Sequence, residues 1–252
     1  MPMILNEEQN MLKDSAKDFC GNNTPIDQLR KLRDSDNPDG FDRATWKSMV
    51  ELGWAGIPWP EEHGGLAFGY KGLGVVTEET GRTLAASPLF ATVWLGGTAI
   101  NLGGSDAQKG ELLGQIAAGE LLLALALEES HRHNPYGIAT TAAAKDGGFE
   151  ISGEKTFVLD GNVADKFVVV ARTSGNAGDR DGLSLFLVDS SSDGVTVSRT
   201  KMADSRNAAN VSFSSVKVGA DALIGTQDQG ADVLDATLDI GRIGIAAEML
   251  GS

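Results

Sequence analysis

Apolar residues recur at helical spacing through the first part of the chain. Leu12, Ala16 and Phe19 share one face behind Asn6 and Gln9, a pair three apart that predicts a capping box. The stretch "DRATWKSMVELG" starts at a cap-type Asp42, places Trp46, Met49 and Val50 on one face, and stops at Gly53. In "WAGIPWPEEHGGLAFG" two prolines and a glycine pair break any helix, so a loop is expected. A further helix is expected from about Lys71 to Ala85, although Gly72, Gly74 and Gly81 weaken its intrinsic propensity. Ser105, followed three residues later by Gln108, predicts another capped start.

Near Leu121 the period changes. "LLLALAL", "GFEISGEKTFVL", "KFVVVARTS", "LSLFLVDS", "GVTVSRT" and "NVSFSSVKV" are short apolar or alternating runs, split by turn signals such as Asp146-Gly147-Gly148 and Asp181-Gly182. They predict a small antiparallel sandwich or barrel. The helical period then returns in "GADVLDATLDIGRIGIAAEMLGS", where Val233, Leu234, Leu238, Ile245 and Met249 are spaced as one apolar face. The expected class is α+β: an all-helical region over 1–120, a small antiparallel β region over 121–228, and over 229–252 the first helix of a further helical bundle. That last helix must bury its face on the earlier helices, on another chain, or on sequence beyond Ser252.

Composition narrows the function classes. The chain has 252 residues, 41% of them hydrophobic, enough for a substantial core. With 35 acids against 21 bases the formal charge is −14, which argues against binding nucleic acid or an anionic membrane surface. The lone Cys20 excludes an internal disulfide and a multi-cysteine metal site. No apolar run is long enough to insert in a membrane, and a cytoplasmic protein is the plain expectation.

The segment with the most candidate chemistry is Ala126 to Ala144, "ALEESHRHNPYGIATTAAA". His131 and His133, on one side of an extended chain, could join Glu128 or Glu129 around a metal, but no HExxH-type spacing accompanies them. A solvated polar loop is the plain alternative. Likewise Asp239 and Arg242, three apart on the last helix, can be a simple helical ion pair.

In their order along the chain, "ELGWAGIPWPEEHGG", "ALALEES", "GFEISGEKTFVLDGNVADKFVVVART" and "LDIGRIGIAAEMLGS" resemble segments of the acyl-CoA dehydrogenases. The resemblance covers nearly the whole chain. It implies an FAD enzyme that desaturates an acyl-CoA between Cα and Cβ, passes electrons to a separate acceptor, and works as a homo- or hetero-oligomer. A carboxylate would take the α-proton, hydrogen bonds would stabilise the enolate-like charge, and hydride would leave to the flavin. By position, Leu125, Ala126, Leu127 and His133 correspond to the segment lining flavin and substrate. Phe157, Val158 and Leu159 correspond to a Trp-Ile-Thr on the flavin's other side, and His133, Asp239 and Arg242 to groups near the acyl-CoA.

The chain departs from that pattern where hydroxyls are usual. Leu127 and Leu159 replace threonines and His133 replaces a serine. No catalytic base is assigned: Gly241 stands where some members carry it, and in most it lies beyond Ser252. Two further readings stay open: a non-catalytic subunit of the same fold, motivated by Leu127, Leu159 and Gly241, and a metal-dependent hydrolase built on the two histidines.

Overall fold

The computed structural model describes residues 4–204 and 206–252. Helices α1 (Glu7–Asn23), α2 (Ile26–Asp34), α3 (Arg43–Glu51), α4 (Gly69–Thr83), α5 (Thr98–Gly103) and α6 (Asp106–Ala117) come first. Both expected capping boxes form, at Asn6 with Gln9 and at Ser105 with Gln108, and Asp42 accepts from the Thr45 N–H. Each satisfies N–H groups that a helix start leaves open. The proline-broken loop holds two short 3-10 turns, and Phe90–Gly97 winds as a π-helix, a conformation the sequence pattern did not announce. All four tryptophans are buried.

Eight strands follow: β1 (Leu123–Ala126), β2 (Thr141–Lys145), β3 (Gly148–Leu159), β4 (Lys166–Arg172), β5 (Leu183–Asp189), β6 (Val195–Lys201), β7 (Asn207–Gly219) and β8 (Leu223–Ile224). They form one sheet in the order β6–β7–β3–β2–β4–β5–β8, with β1 beside β4. The class is α+β as expected. Pairing is antiparallel except that β1 runs parallel to β4, and β2 meets β4 in parallel at Thr141 and Arg172.

The sheet is buried on both sides at β4, whereas β2 and β6 are largely exposed. Along β4, Val168 and Val170 join the core shared with the helices, while Phe167, Val169 and Ala171 join a second core formed within the sheet. This explains why β4 reads as a continuous apolar run.

Strand β3 carries an extra residue relative to β7. Lys155 pairs with Val211 and Val158 with Ala209, so three steps on β3 match two on β7. Phe157 lies in this bulge with φ +53°. The extra residue reverses which side chains face inward: Ile151 and Lys155 are buried before it, Val158 after it.

Helix α7 (Gly230–Gly251) folds back on α4 and the π-helical segment, and the face its apolar period predicted turns inward only over its first half. Leu234 is fully buried, but Ile245 and Met249 are exposed, as are Ile243 and Leu250. Glycines are turned inward instead. A Cβ at Gly81 of α4 would lie 2.2 Å from the Glu248 carbonyl, and one at Gly244 would lie 2.6 Å from the Trp94 ring. The two helices touch backbone to backbone, a contact a hydrophobic-period reading cannot register because glycine contributes nothing to the period.

Candidate functional site

Four elements converge on one apolar cleft of about 290 Å³. The end of β1 and its following loop supply Leu125, Leu127, Glu128 and His133. The bulged end of β3 supplies Phe157 and Leu159. The π-helical segment supplies Phe90 and Leu95, and α7 supplies Leu238, Gly241, Arg242 and Ile245. The bulge matters here, because it leaves Phe157 half exposed on the wall of the cleft.

Helix α7 is fixed on either side of its cleft-lining turn. Toward its start, Asp235 accepts from the Tyr136 hydroxyl at 2.8 Å, and Arg180 bridges to Asp232 and Asp235. Toward its end, Arg206 pairs with Glu248 and also donates to the Ala85 carbonyl. The cleft wall is therefore tied to both the sheet and the earlier helices.

Of the residues singled out from sequence, Leu125, Leu127, His133, Phe157, Leu159 and Arg242 meet in this cleft. Ala126 and Val158 do not. Strand alternation turns Ala126, and the bulge turns Val158, into the second core, where they are fully buried, so neither can touch a ligand in the cleft through its side chain. Asp239 is also absent from the lining; it is exposed and accepts from Arg242 at 2.5 Å.

Glu128 and His133 form a pair at the cleft mouth. Nδ1 of His133 lies 2.5 Å from Glu128 Oε1, and the Asn134 N–H reaches the other carboxylate oxygen at 3.4 Å. Both residues, with Phe157, also border a polar hollow that includes Ser130, His131, Thr156, Thr200 and Asn210. Among the described residues no group of three or more His, Cys, Asp or Glu stands ready to hold a metal ion.

The sequence reading missed the pair that holds this loop in place. Lys155 is buried and donates to Glu129 Oε1 at 2.7 Å and to the Leu127 carbonyl at 3.1 Å. Glu129 also accepts from the Ala139 and Thr140 N–H groups. Burial lowers the Lys155 ammonium to about 8, against the opposing pull of Glu129. Burial raises the Glu129 carboxyl, but Lys155 and the N–H donors outweigh it and leave it below its ordinary value. A lysine at an inward position of the β3 alternation was the available signal. Phe90 and Leu95 gave none.

Residues 6–120 match the family model of the acyl-CoA dehydrogenase N-terminal domain, and residues 124–216 that of the middle domain. The chain belongs to the acyl-CoA dehydrogenase family. It is 30% identical over 256 residues to an acyl-CoA dehydrogenase of Bacillus subtilis, covering 99% of this chain and 66% of that one. It is 29% identical to the short-chain specific acyl-CoA dehydrogenase of Clostridium acetobutylicum, covering 100% of this chain and 66% of that one. Among solved structures, butyryl-CoA dehydrogenase from Megasphaera elsdenii superposes with a TM-score of 0.87 at 26% identity, over 100% of this chain and 67% of that one. The ChsE4-ChsE5 complex from Mycobacterium tuberculosis also superposes with a TM-score of 0.87, at 25% identity, over 100% of this chain and 65% of that one. The chain thus spans 66% of the length of these curated relatives. Among the described residues no helix is long and apolar enough to cross a membrane.

Acyl-CoA dehydrogenases are flavoproteins, so the cleft can be tested against a flavin ring. The leucines and Phe157 suit its flat apolar faces. Its pyrimidine edge carries carbonyl oxygens that need donors, and Leu127 and Leu159 offer none. Leaving a buried polar atom unpaired costs roughly 1–3 kcal/mol. Arg242, at the mouth, still has N–H groups to spare, but the wall formed by Leu127, Phe157 and Leu159 does not fit the polar edge of a flavin.

Proposed function

We propose that this chain is the acyl-thioester-binding part of an FAD-dependent acyl-CoA dehydrogenase, an assembly that desaturates an acyl-CoA between Cα and Cβ. The observation that carries this reading is the apolar cleft, walled by β1, β3, the π-helical segment and α7 and adjoining, at His133, a hollow whose lining carries hydroxyl, amide and ionisable groups. An acyl-CoA has the same division: an apolar acyl body and a long polar tail. The family membership supports the reaction type. Electron transfer to a separate acceptor is supported by the 28% identity to the caffeyl-CoA reductase-Etf complex subunit CarC of Acetobacterium woodii.

The chain's own residues bind and exclude water. Leu125, Leu127, Leu238 and Ile245 cover the acyl body, and Arg242 offers donors at the mouth. Removal of the α-proton needs a base. Position 241 supplies no side chain for it, and a Cβ there would come within 2.7 Å of Leu95 Cδ2.

Titration of the full chain with acyl-CoAs of increasing length, followed by calorimetry, tests the reading. Saturable binding is expected, tightening by about fourfold per added methylene until the cleft is filled (~0.8 kcal/mol each). Absence of binding at every length would sink it.

A second reading keeps the thioester site but makes the chain a partner subunit with no catalytic centre of its own. Leu127, Leu159 and the leucine-packed Gly241 favour it, as does the likeness to a structure of two differently named chains in complex. Under this reading the chain comigrates in size-exclusion chromatography with a dehydrogenase subunit that carries flavin.

A further inference from the structure

We infer that the cleft takes the apolar body of an acyl thioester where the family resemblance would seat a flavin ring, and that the wall of Leu127 and Leu159 leaves the carbonyl oxygens of FAD without hydroxyl donors; this rests on the acyl-CoA reading above. The argument is one of donors. Leu127 and Leu159 flank Phe157 along the wall, and Leu95 packs against Gly241 on the opposite wall. Along the wall itself the polar groups are already engaged. The Leu127 carbonyl accepts from the Lys155 ammonium, and the Glu128 carbonyl from the Thr156 N–H at 2.7 Å. The Glu128 carboxylate holds His133, and Arg242 holds Asp239. Carbonyls and carboxylates could not serve a flavin's carbonyl oxygens in any case, because they lack hydrogens to donate.

A saturated acyl or alicyclic body asks nothing of these walls beyond contact. What it needs is apolar surface at one end and donors at the other. The remaining N–H groups of Arg242 provide donors at the mouth, suited to a thioester carbonyl. The leucine substitutions are thus a coherent change of ligand rather than scattered losses. In a working dehydrogenase assembly, FAD would be held by protein other than this cleft wall.

The test uses the full chain and a polarity-sensitive naphthalene dye that fluoresces in apolar sites. Acyl-CoAs are expected to displace the dye, and FAD to leave its fluorescence unchanged; the purified chain is expected to show no flavin absorption bands after incubation with FAD and desalting. Leu127→Thr combined with Leu159→Thr is expected to strengthen FAD binding by about tenfold or more and to weaken displacement by acyl-CoA. Stoichiometric flavin on the unaltered chain would overturn the inference while leaving the acyl-CoA reading intact. Failure of every acyl-CoA to displace the dye would remove the acyl-CoA reading and the inference together. FAD binding that stays undetectable in the double variant, with its fold verified by circular dichroism, would show that the two leucines are not what excludes the flavin.

Discussion

Glu128 opens onto the cleft mouth, where its carboxylate holds a half-exposed His133. Glu129, the next residue, turns inward beneath the sheet, where it receives the buried Lys155 and two backbone N–H groups. The two side chains are of one type and adjacent, yet one shapes what a ligand meets and the other fixes where the loop sits. The difference arises just past the end of β1: strict alternation lapses after Ala126, because Leu127 and Glu128 both line the cleft while Glu129 faces Lys155. Chemistry at this site is therefore placed by a structural neighbour that never touches the ligand.

Breaking the inward half has the larger effect. Lys155→Met leaves the partly buried Glu129 with only its two N–H donors and is expected to destabilise the chain by about 1–3 kcal/mol, read from urea unfolding. Adding Glu129→Gln should restore much of that loss, because the uncompensated charge goes with it. A double variant no more stable than Lys155→Met would show that the ammonium's contact with the Leu127 carbonyl matters more than the ion pair.

The same pair predicts a pH signature. Glu129 lies below its ordinary value of 4.5 when folded, so the stability it contributes is complete above that pH and is lost as pH falls further. Lys155 is lowered from 10.5 to about 8, so between those values the unfolded chain binds the extra proton, and this residue's contribution to stability rises with pH. Unfolding midpoints measured across both windows should lose these slopes in the double variant.

The outward half is expected to change stability least. Glu128→Gln should shift it by less than about 1 kcal/mol, since the His133 side chain is 54% exposed and surface ion pairs contribute little. Its effect should be seen instead in the nitrogen NMR shifts of the His133 ring, whose tautomer the carboxylate orients. Unchanged ring shifts would mean the pair does not persist in solution.

Much of the architecture was legible in the residues. Asn6 with Gln9, Asp42, and Ser105 with Gln108 begin helices because their side chains satisfy N–H groups locally, and local chemistry can be read from local sequence. The burial of Ala126 follows from strand alternation, which a motif correspondence passes over when it assigns a whole segment to a ligand; that of Val158 follows from the bulge, which the alternation through Ile151 and Lys155 does not announce. The Lys155–Glu129 contact joins residues 26 apart, and the Gly81–Glu248 approach joins residues farther still; neither leaves a periodic trace. The cleft itself lay between these cases. Leu238 and Ile245 sat on the predicted apolar face of α7, but that face was assigned wholly to helix packing, which Leu234 shares with Gly241 and Gly244.

The bulge in β3 makes the cleft depend on arithmetic as well as on chemistry. Removing a single residue between Lys155 and Val158 would restore an unbroken two-residue beat, and Phe157 and Leu159 would exchange sides with their neighbours. Every amino acid of the wall could then be retained and the ligand would still meet a different surface. For relatives of this chain, an alignment gap at that one position says more about what the cleft binds than several substitutions around it.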